Sequence, residues 1–318
     1  MNSALSILGA LWLLCLAVTL TAQETSVLES ARAEVGLRSL QTASKTSPSE
    51  GAPALLHEAA GLDGYDEEIG EQRFLKKQVK AEWEPWLVEA DAQYFYTDNV
   101  GLARDGELGD AYLRGGVTVQ YNNRIAGPWS VNASAASHVY LHDRFSALDF
   151  NLTRSDLALT YELPALRTMI SAGWSWYRIS QSDLTTHAFD DHLASVLIQK
   201  LWKPRSGLEF VAGMMADISL APEPAGPGRD EYSAYAGTRL RFRTRLTITG
   251  SYRAGWHHYR EVDRQDWNHV VQLGVAYEVT SWAKVGIMGS MTFNRSSVSF
   301  FDYDNLVTGG GLFFNARF

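Results

Sequence analysis

From Trp86 onward, apolar and polar residues alternate one by one along the chain. In residues 86–96, one face carries Trp, Val, Ala, Ala, Tyr and Tyr, while the other carries Leu, Glu, Asp, Gln and Phe. A period of two is typical of a β-strand whose two faces meet different surroundings. Comparable segments, of which 189–202 is the least regular, follow at 111–122, 129–142, 150–162, 168–180, 189–202, 207–219, 232–243, 246–259, 267–279, 282–294 and 305–318. The pattern predicts an all-β fold of about twelve strands.

The connections between these segments alternate in length. The short ones are 123–128, 163–167, 203–206, 244–245 and 280–281, and the long ones are 98–110, 143–149, 181–188, 221–231, 260–266 and 295–304. Outer-membrane barrels have short turns on the periplasmic side and longer loops outside. The sequence therefore predicts a transmembrane, antiparallel, up-and-down β-barrel with both ends of the barrel domain on the periplasmic side.

A soluble secreted sandwich or propeller would also show alternating strands. Here, however, the polar faces include many charged side chains, which a dry core does not accommodate. These are Arg114, Arg154, Asp156, Glu209, Arg239, Arg241, Arg253, Glu278 and Lys284. Aromatic residues also collect near the strand ends, as in the girdles of membrane barrels. A membrane barrel is favoured, because it can hold these charged side chains inside and place the apolar side chains toward lipid.

The chain before the barrel divides into two parts. Residues 1–22 combine an apolar core with a small residue at Ala22, which predicts a secretory signal peptide. Residues 23–82 are rich in Ala, Ser and Glu and poor in aromatics, which predicts a partly helical or disordered periplasmic extension. Residues 83–318 form the predicted barrel. Since the single cysteine, Cys15, lies within the signal, no disulfide is expected.

The charged residues predicted inside the barrel suggest a selective lumen. Arginines on the eighth and ninth segments are flanked by acids on the seventh and tenth, and such an arrangement would select small charged solutes. The candidate filter residues are Arg239, Arg241, Arg253, Glu209, Asp217, Glu278 and Arg114. The alternative is that these groups pair with one another and close a narrow interior. The sequence leaves both readings open.

The spacing of the histidines does not favour histidine-based chemistry. His138 and His142 are four residues apart on one strand, about 13 Å, which is too far for a shared metal ion. His257 and His258 are adjacent, so their side chains point to opposite faces. We therefore predict no catalytic residue, no metal site and no cofactor. A net charge of -8 without a basic run also makes nucleic acid an unexpected partner.

The end of the chain carries a family resemblance. Asp302-Tyr303-Asp304-Asn305-Leu306, then Gly309-Gly310-Gly311-Leu312 and the final Phe318, resemble the C-terminal hairpin of porin-like outer-membrane β-barrel families of Gram-negative bacteria. Leu312, Phe314 and Phe318 share one face and are similar to the assembly signal read by the barrel insertion machinery. The glycine run differs from the single glycine usual in that signal. The resemblance implies an outer-membrane location and no catalytic residues.

Two functions follow as expectations. The first is a narrow porin-like channel, or an export component, for small solutes or a polysaccharide. The second is a non-conducting barrel that serves as an envelope scaffold, adhesin or assembly factor, and an enzyme ranks third. The expected partners are outer-membrane lipid, lipopolysaccharide, the insertion machinery, and a periplasmic partner bound through residues 23–82.

Overall fold

The computed structural model describes residues 85–181, 187–224, 228–242 and 245–318. The signal peptide and the extension predicted for residues 1–22 and 23–82 lie outside this range. Within it, the chain forms twelve antiparallel strands. These are β1 Trp86–Thr97, β2 Asp110–Ala126, β3 Trp129–His142, β4 Phe150–Leu163, β5 Thr168–Gln181, β6 His187–Arg205, β7 Leu208–Ser219, β8 Arg229–Arg241, β9 Leu246–Tyr259, β10 Arg264–Glu278, β11 Ala283–Ser296 and β12 Tyr303–Arg317.

Each strand pairs with its neighbours in sequence, and β1 pairs with β12 to close the sheet. The closing register sets Leu87 opposite Arg317 and Thr97 opposite Val307. Closure leaves no sheet edge, which a strand structure needs in hydrocarbon because unpaired backbone groups are costly there. The predicted all-β, twelve-stranded, up-and-down barrel is confirmed.

The alternation of residues separates the inside of the barrel from the outside. On β1, Asp91, Gln93 and Phe95 are buried, whereas Tyr94 and Tyr96 are exposed. The buried series lines the lumen and the exposed series faces outward. The outward series is apolar and carries tryptophans near the strand ends, among them Trp86, Trp129, Trp202, Trp256, Trp267 and Trp282. Among the described residues, no helix is long and apolar enough to cross a membrane.

Two strands reach further into the long loops than the sequence predicted. We expected β8 to start at Tyr232 and β10 at Trp267, but they start at Arg229 and Arg264. The expectation was wrong because charged residues there resemble a solvated loop, whereas Glu231 and Asp266 are buried inside the barrel. β8 and β10 continue beyond the point where apolar and polar residues stop alternating, because their charged side chains are paired inside the barrel.

The glycine run of β12 has a structural role in closure. A Cβ on Gly311 would lie 2.2 Å from the Ala92 carbonyl oxygen, and one on Gly309 would lie 2.3 Å from the Tyr94 carbonyl oxygen. Real Cβ atoms do not approach so closely. The two lumen-facing glycines therefore allow β12 to pack directly against β1, at the seam that closes the barrel.

Candidate functional site in the barrel lumen

The lumen has two halves, which we name by the connections at their ends. The inner half lies at the end with the short turns and with the first residue of β1 and the last of β12. The outer half lies at the end with the long loops. The short turns of outer-membrane barrels are periplasmic, so the inner half corresponds to the periplasmic end of such a barrel.

A buried ion network fills one side of the outer half. Glu231 on β8 is fully buried and accepts a short hydrogen bond from Nη1 of Arg253 on β9. Its other oxygen lies 3.5 Å from Nη2 of Arg229 and 3.5 Å from Nε2 of His257. Arg253 also donates to Oδ1 of Asn268, at 3.1 Å. A buried carboxylate tolerates this position because cations surround it.

Similar pairs continue around the outer half. Asp91 lies 3.5 Å from Nη2 of Arg114 and 3.4 Å from Nε2 of His138, and it accepts a hydrogen bond from Gln93. On β10, Nε of Arg264 lies 3.2 Å from Oδ1 of Asp266. All of these side chains are buried, so the charges of the outer half are largely removed from water.

The opposite side of the outer half is apolar. Tyr140 on β3 stacks on Phe150 of β4 with ring centroids 4.2 Å apart, and Phe95 stacks on Tyr112 at 5.4 Å. These rings belong to one cluster contributed by β1 to β6, whose members are Phe95, Tyr112, Tyr140, Phe150, Leu152, Tyr177, Ile179, Phe189 and Leu193. In the outer half, an aromatic wall therefore faces an ionic wall across the lumen.

The middle of the lumen holds a hydrogen-bonded carboxylate. Asp156 on β4 pairs with Nη2 of Arg154 at 2.6 Å. It also accepts hydrogen bonds from Ser175 at 2.6 Å and from Ser134 at 2.9 Å. The Arg154 and Asp156 side chains are 19% and 28% exposed, so these charges are packed less tightly than those of the outer half.

The inner half carries ion pairs whose side chains are partly exposed. Glu209 on β7 lies 3.0 Å from Nζ of Lys203 and 3.1 Å from Nη1 of Arg239. Glu278 pairs with Lys284 at 3.1 Å. The exposed fraction of these five side chains runs from 14% to 37%. In contrast to the outer half, the inner half carries partly exposed charges, and we call it the inner vestibule.

The structure places the predicted filter residues at two levels. Arg239 and Arg241 line the inner vestibule with Glu209 and, on β10, Glu278. Arg253 is opposite Tyr235, four residues along β8 from Arg239, or about 13 Å away. The remaining two predicted filter residues have different neighbours. Asp217 accepts a hydrogen bond from Ser195, and Arg114 pairs with Asp91.

Some lumen residues escaped the sequence analysis. The sequence analysis places Glu231 in the long connection 221–231, and it does not single out Arg229. The pattern of β8 could have identified both residues. If its alternation is extended backward, Glu231 and Arg229 lie on the same face as Arg239 and Arg241. Glu89, which accepts a hydrogen bond from Gln120 at 3.0 Å on the opposite wall, was also missed as a filter residue.

The histidines follow the predicted separation of faces. His257 points into the ion network, whereas the adjacent His258 stacks on the outward ring of Trp256. The outward His269 contacts the Tyr252 hydroxyl and stands opposite Ala254 and Phe293. The described residues contain no group of three or more side chains arranged to hold a metal ion.

The residues of the predicted assembly signal lie on the outward face of β12. Leu312, Phe314 and Phe318 are all exposed on the barrel surface. Phe314 stacks on the girdle residue Trp282 with ring centroids 6.0 Å apart. Their reading as a recognition signal stays a prediction.

Comparisons with known proteins agree with this architecture. Residues 170–315 match the family model described as "Putative beta-barrel porin 2". An outer-membrane channel of Pseudomonas putida F1, from the group COG4313, is similar in structure at 9% identity, with a TM-score of 0.51 over 73% of this chain and 96% of that one.

Two further solved structures are similar at lower scores. The KdgM porin, solved with disordered oligogalacturonate, has 12% identity and a TM-score of 0.40 over 71% of this chain and 98% of its own. Outer membrane phospholipase A from Escherichia coli has 11% identity and a TM-score of 0.44 over 71% and 92%. No curated protein sequence matches the chain. The closed twelve-stranded barrel and the family-model match over residues 170–315 show a porin-like outer-membrane β-barrel fold.

Proposed function

We propose that this barrel is a narrow channel for small charged solutes, with its charge filter in the inner vestibule. The observation that carries the proposal is the gradient of water contact along the lumen. Charged side chains of the inner half and the middle are partly exposed, while those of the outer half are buried. Water and solutes therefore have a path from the inner end to about the level of Arg154, and the outer half limits passage.

One wall of the vestibule carries an excess of positive charge and faces a carboxylate across the lumen. Lys203 and Arg239 both pair with Glu209, and Arg241 follows two residues beyond Arg239 on the same face of β8, which gives this wall an excess of positive charge. In a closed barrel of twelve strands, β1 lies across the lumen from β7, and Glu89 is the fourth residue of β1 from the same end. A field across a narrow passage orients and selects charged solutes.

The size of the barrel fits a narrow passage. Twelve strands about 4.8 Å apart and tilted by about 40° give roughly 24 Å between opposite backbone walls. Side chains from both walls occupy much of this width. The aromatic cluster narrows it further in the outer half, so the channel would admit ions and small molecules only.

Charge selectivity tests this proposal. Reversal potentials under a salt gradient are compared between the unmodified protein, Arg239→Gln/Arg241→Gln and Glu89→Gln. We expect the arginine variant to shift toward cations and the glutamate variant toward anions. Lys200→Gln is the control, since Lys200 contacts Trp202 on the outward face and its loss should change nothing. Equal reversal potentials in all four proteins would contradict the proposal.

The second candidate is a sealed barrel that serves as an envelope scaffold. The observation favouring it is the complete burial of Glu231, His257 and Asn268, which shows how tightly the ionic side of the outer half packs. A sealed barrel would insert normally and give no conductance in any of the four proteins.

A further inference from the structure

The outward face of the barrel carries polar side chains near the outer ends of β3, β4 and β5. We define the polar patch as Ser137, Asn151, Thr153, Ser155 and Arg178. These residues alternate along their strands with the buried lumen residues His138, Leu152 and Ile179. Ser137 stands opposite Thr153, which stands opposite Arg178, so the patch continues across three strands. On β8 to β10, by contrast, the outward residues near the outer end are Tyr232, Trp256 and Trp267.

Part of the polar patch lies at the depth of the hydrocarbon. Trp129 and Tyr161, whose ring centroids are 4.7 Å apart, mark the inner girdle. A strand tilted by about 40° climbs roughly 2.5 Å per residue, and the apolar band of such barrels is about 25 Å tall. Thr153 and Ser155 lie eight and six residues from Tyr161 along β4, or about 20 and 15 Å above the inner girdle. Ser137 is likewise eight residues from Trp129 along β3. These hydroxyls therefore lie within the apolar band.

Hydrogen bonds join the side chains of the polar patch. Nδ2 of Asn151 donates to Oγ of Ser137 at 3.3 Å, and the Thr153 hydroxyl donates to Oδ1 of Asn151 at 3.1 Å. Ser137 and Arg178 are nevertheless exposed, and Thr153 and Ser155 are partly exposed. Polar groups at membrane depth are costly against lipid, which offers them no hydrogen bonds, and they are tolerated where protein covers them. We therefore expect protein to cover the patch.

The polar patch has its one charge neutralised at its edge. Nη2 of Arg178 donates to Oδ2 of Asp190 on β6 at 2.8 Å, and the guanidinium carbon lies 5.3 Å from the centre of the Trp176 ring. The other members are three hydroxyls and an amide, which donate and accept hydrogen bonds alike. A neutral surface of this kind is complementary to a copy of itself, whereas it offers no excess charge to a lipid phosphate or to a charged protein.

Small side chains beside the polar patch let another barrel wall come close. Ala133 and Ala135 precede Ser137 on the outward face of β3, and Ala135 stands opposite Ser155. Between membrane helices, small residues let two backbones approach and polar side chains then hydrogen-bond across the contact. A twofold axis brings the same surface of two subunits together, so each hydroxyl can meet a partner. We propose that the polar patch, with Ala133 and Ala135, is the contact between two copies of this barrel in the membrane.

Disulfide trapping in liposomes tests this contact, whether or not the barrel conducts. In a Cys15→Ala background, Ala135→Cys is compared with Ala236→Cys, an outward alanine of β8. Both alanines are exposed, and they lie at similar heights, six residues from the inner end of β3 and five from that of β8. We expect about tenfold more disulfide-linked dimer for Ala135→Cys, because a few hydrogen bonds across the contact favour association by about this factor.

A bulky substitution gives the second measurement. Ser155→Trp keeps a side chain that lipid accepts but holds the two walls apart, so it should lower the Ala135→Cys dimer about tenfold. Ala234→Trp, on the outward face of β8, should leave the dimer unchanged. Cold electrophoresis shows whether each variant is folded. Thr153→Val/Ser155→Ala adds no bulk and should lower the dimer about threefold, which keeps the test informative if Ser155→Trp does not fold.

Three results would overturn the proposal. The first is an equal yield of dimer for Ala135→Cys and Ala236→Cys, which is what random collision gives. The second is a dimer of Ala135→Cys that neither Ser155→Trp nor Thr153→Val/Ser155→Ala reduces. The third is a monomeric barrel in which Ser155→Trp instead reduces the lipopolysaccharide that copurifies, because the polar patch would then bind lipid.

Discussion

The guanidinium carbon of Arg264 lies 3.9 Å from the centre of the Phe301 ring. The Tyr259 ring covers the other face of the guanidinium at 3.6 Å. Phe301 belongs to the loop between β11 and β12, and its carbonyl oxygen accepts a hydrogen bond from Asn294 at 2.9 Å. One loop residue thus fastens the last long loop to a buried charge at the outer mouth of the barrel.

Replacing Phe301 by Ala should loosen this loop. A cation–π contact of a desolvated arginine contributes about 1–2 kcal/mol, so amide hydrogen exchange in residues 297–302 should quicken by about 5- to 30-fold. Val298→Ala is a matched control, because its side chain is exposed in the same loop. Equal exchange rates in the two variants would show that the contact does not hold the loop.

Glu231→Gln should destabilise the barrel strongly. The substitution keeps the shape of the side chain but leaves Arg229 and Arg253 beside a neutral group in a dry site. Removing one partner of a buried charge group costs about 3–5 kcal/mol. The free energy of unfolding in urea, measured in detergent micelles, provides the test.

The control for Glu231 is an exposed ion pair. Asp304 lies 2.7 Å from Nη1 of Arg295, and both side chains are about half exposed. Asp304→Asn should therefore cost less than about 1 kcal/mol. A loss of stability as small for Glu231→Gln would mean that the ion network does not stabilise the outer half.

Gly311→Ala should impair closure of the barrel. The added Cβ would meet the backbone of Ala92 and Gln93 at 2.2 and 2.6 Å, so β1 and β12 must separate locally. Overpacking of this kind costs about 1–3 kcal/mol. The fraction of heat-modifiable, folded protein in cold electrophoresis measures the effect. Gly289→Ala should fold normally, because its Cβ would have its nearest neighbour at 3.7 Å.

The strands were predictable because a membrane barrel imposes a strict period of two on its sequence. The boundaries of β3 and β9 match the predicted segments, as does the count of twelve. The pairing of charged side chains in the lumen was less predictable, because it depends on strand register and on the shear of the barrel. Glu209 and Arg239 are directly opposed on adjacent strands, but that register cannot be read from alternation alone.

The ion network of the outer half was missed for a different reason. Alternation predicts which face a residue takes only where strand and loop can be told apart, and charged strand ends look like loops. Glu231, Arg264 and Asp266 all lie in such extensions of β8 and β10. Their burial depends on partners from other strands, which a single strand's pattern does not contain.

The C-terminal phenylalanine can be tested apart from closure. Trp86 and Phe318 exchange two backbone hydrogen bonds of 3.1 Å, which Phe318→Ala retains. If the side chain is an assembly signal, Phe318→Ala should lower the amount inserted in the outer membrane of cells and leave refolding in detergent unchanged. Leu306→Ala, another outward residue of β12, is the control. Equal insertion of both variants would refute the signal.

Single-channel recording of the unmodified, full mature chain in a planar bilayer tests the central claim most directly. A narrow channel with a wet inner vestibule predicts small, steady conductance steps that rise with salt concentration and favour one ion sign. Protein that is shown to be inserted and folded but gives no steps would contradict the channel and establish a sealed barrel.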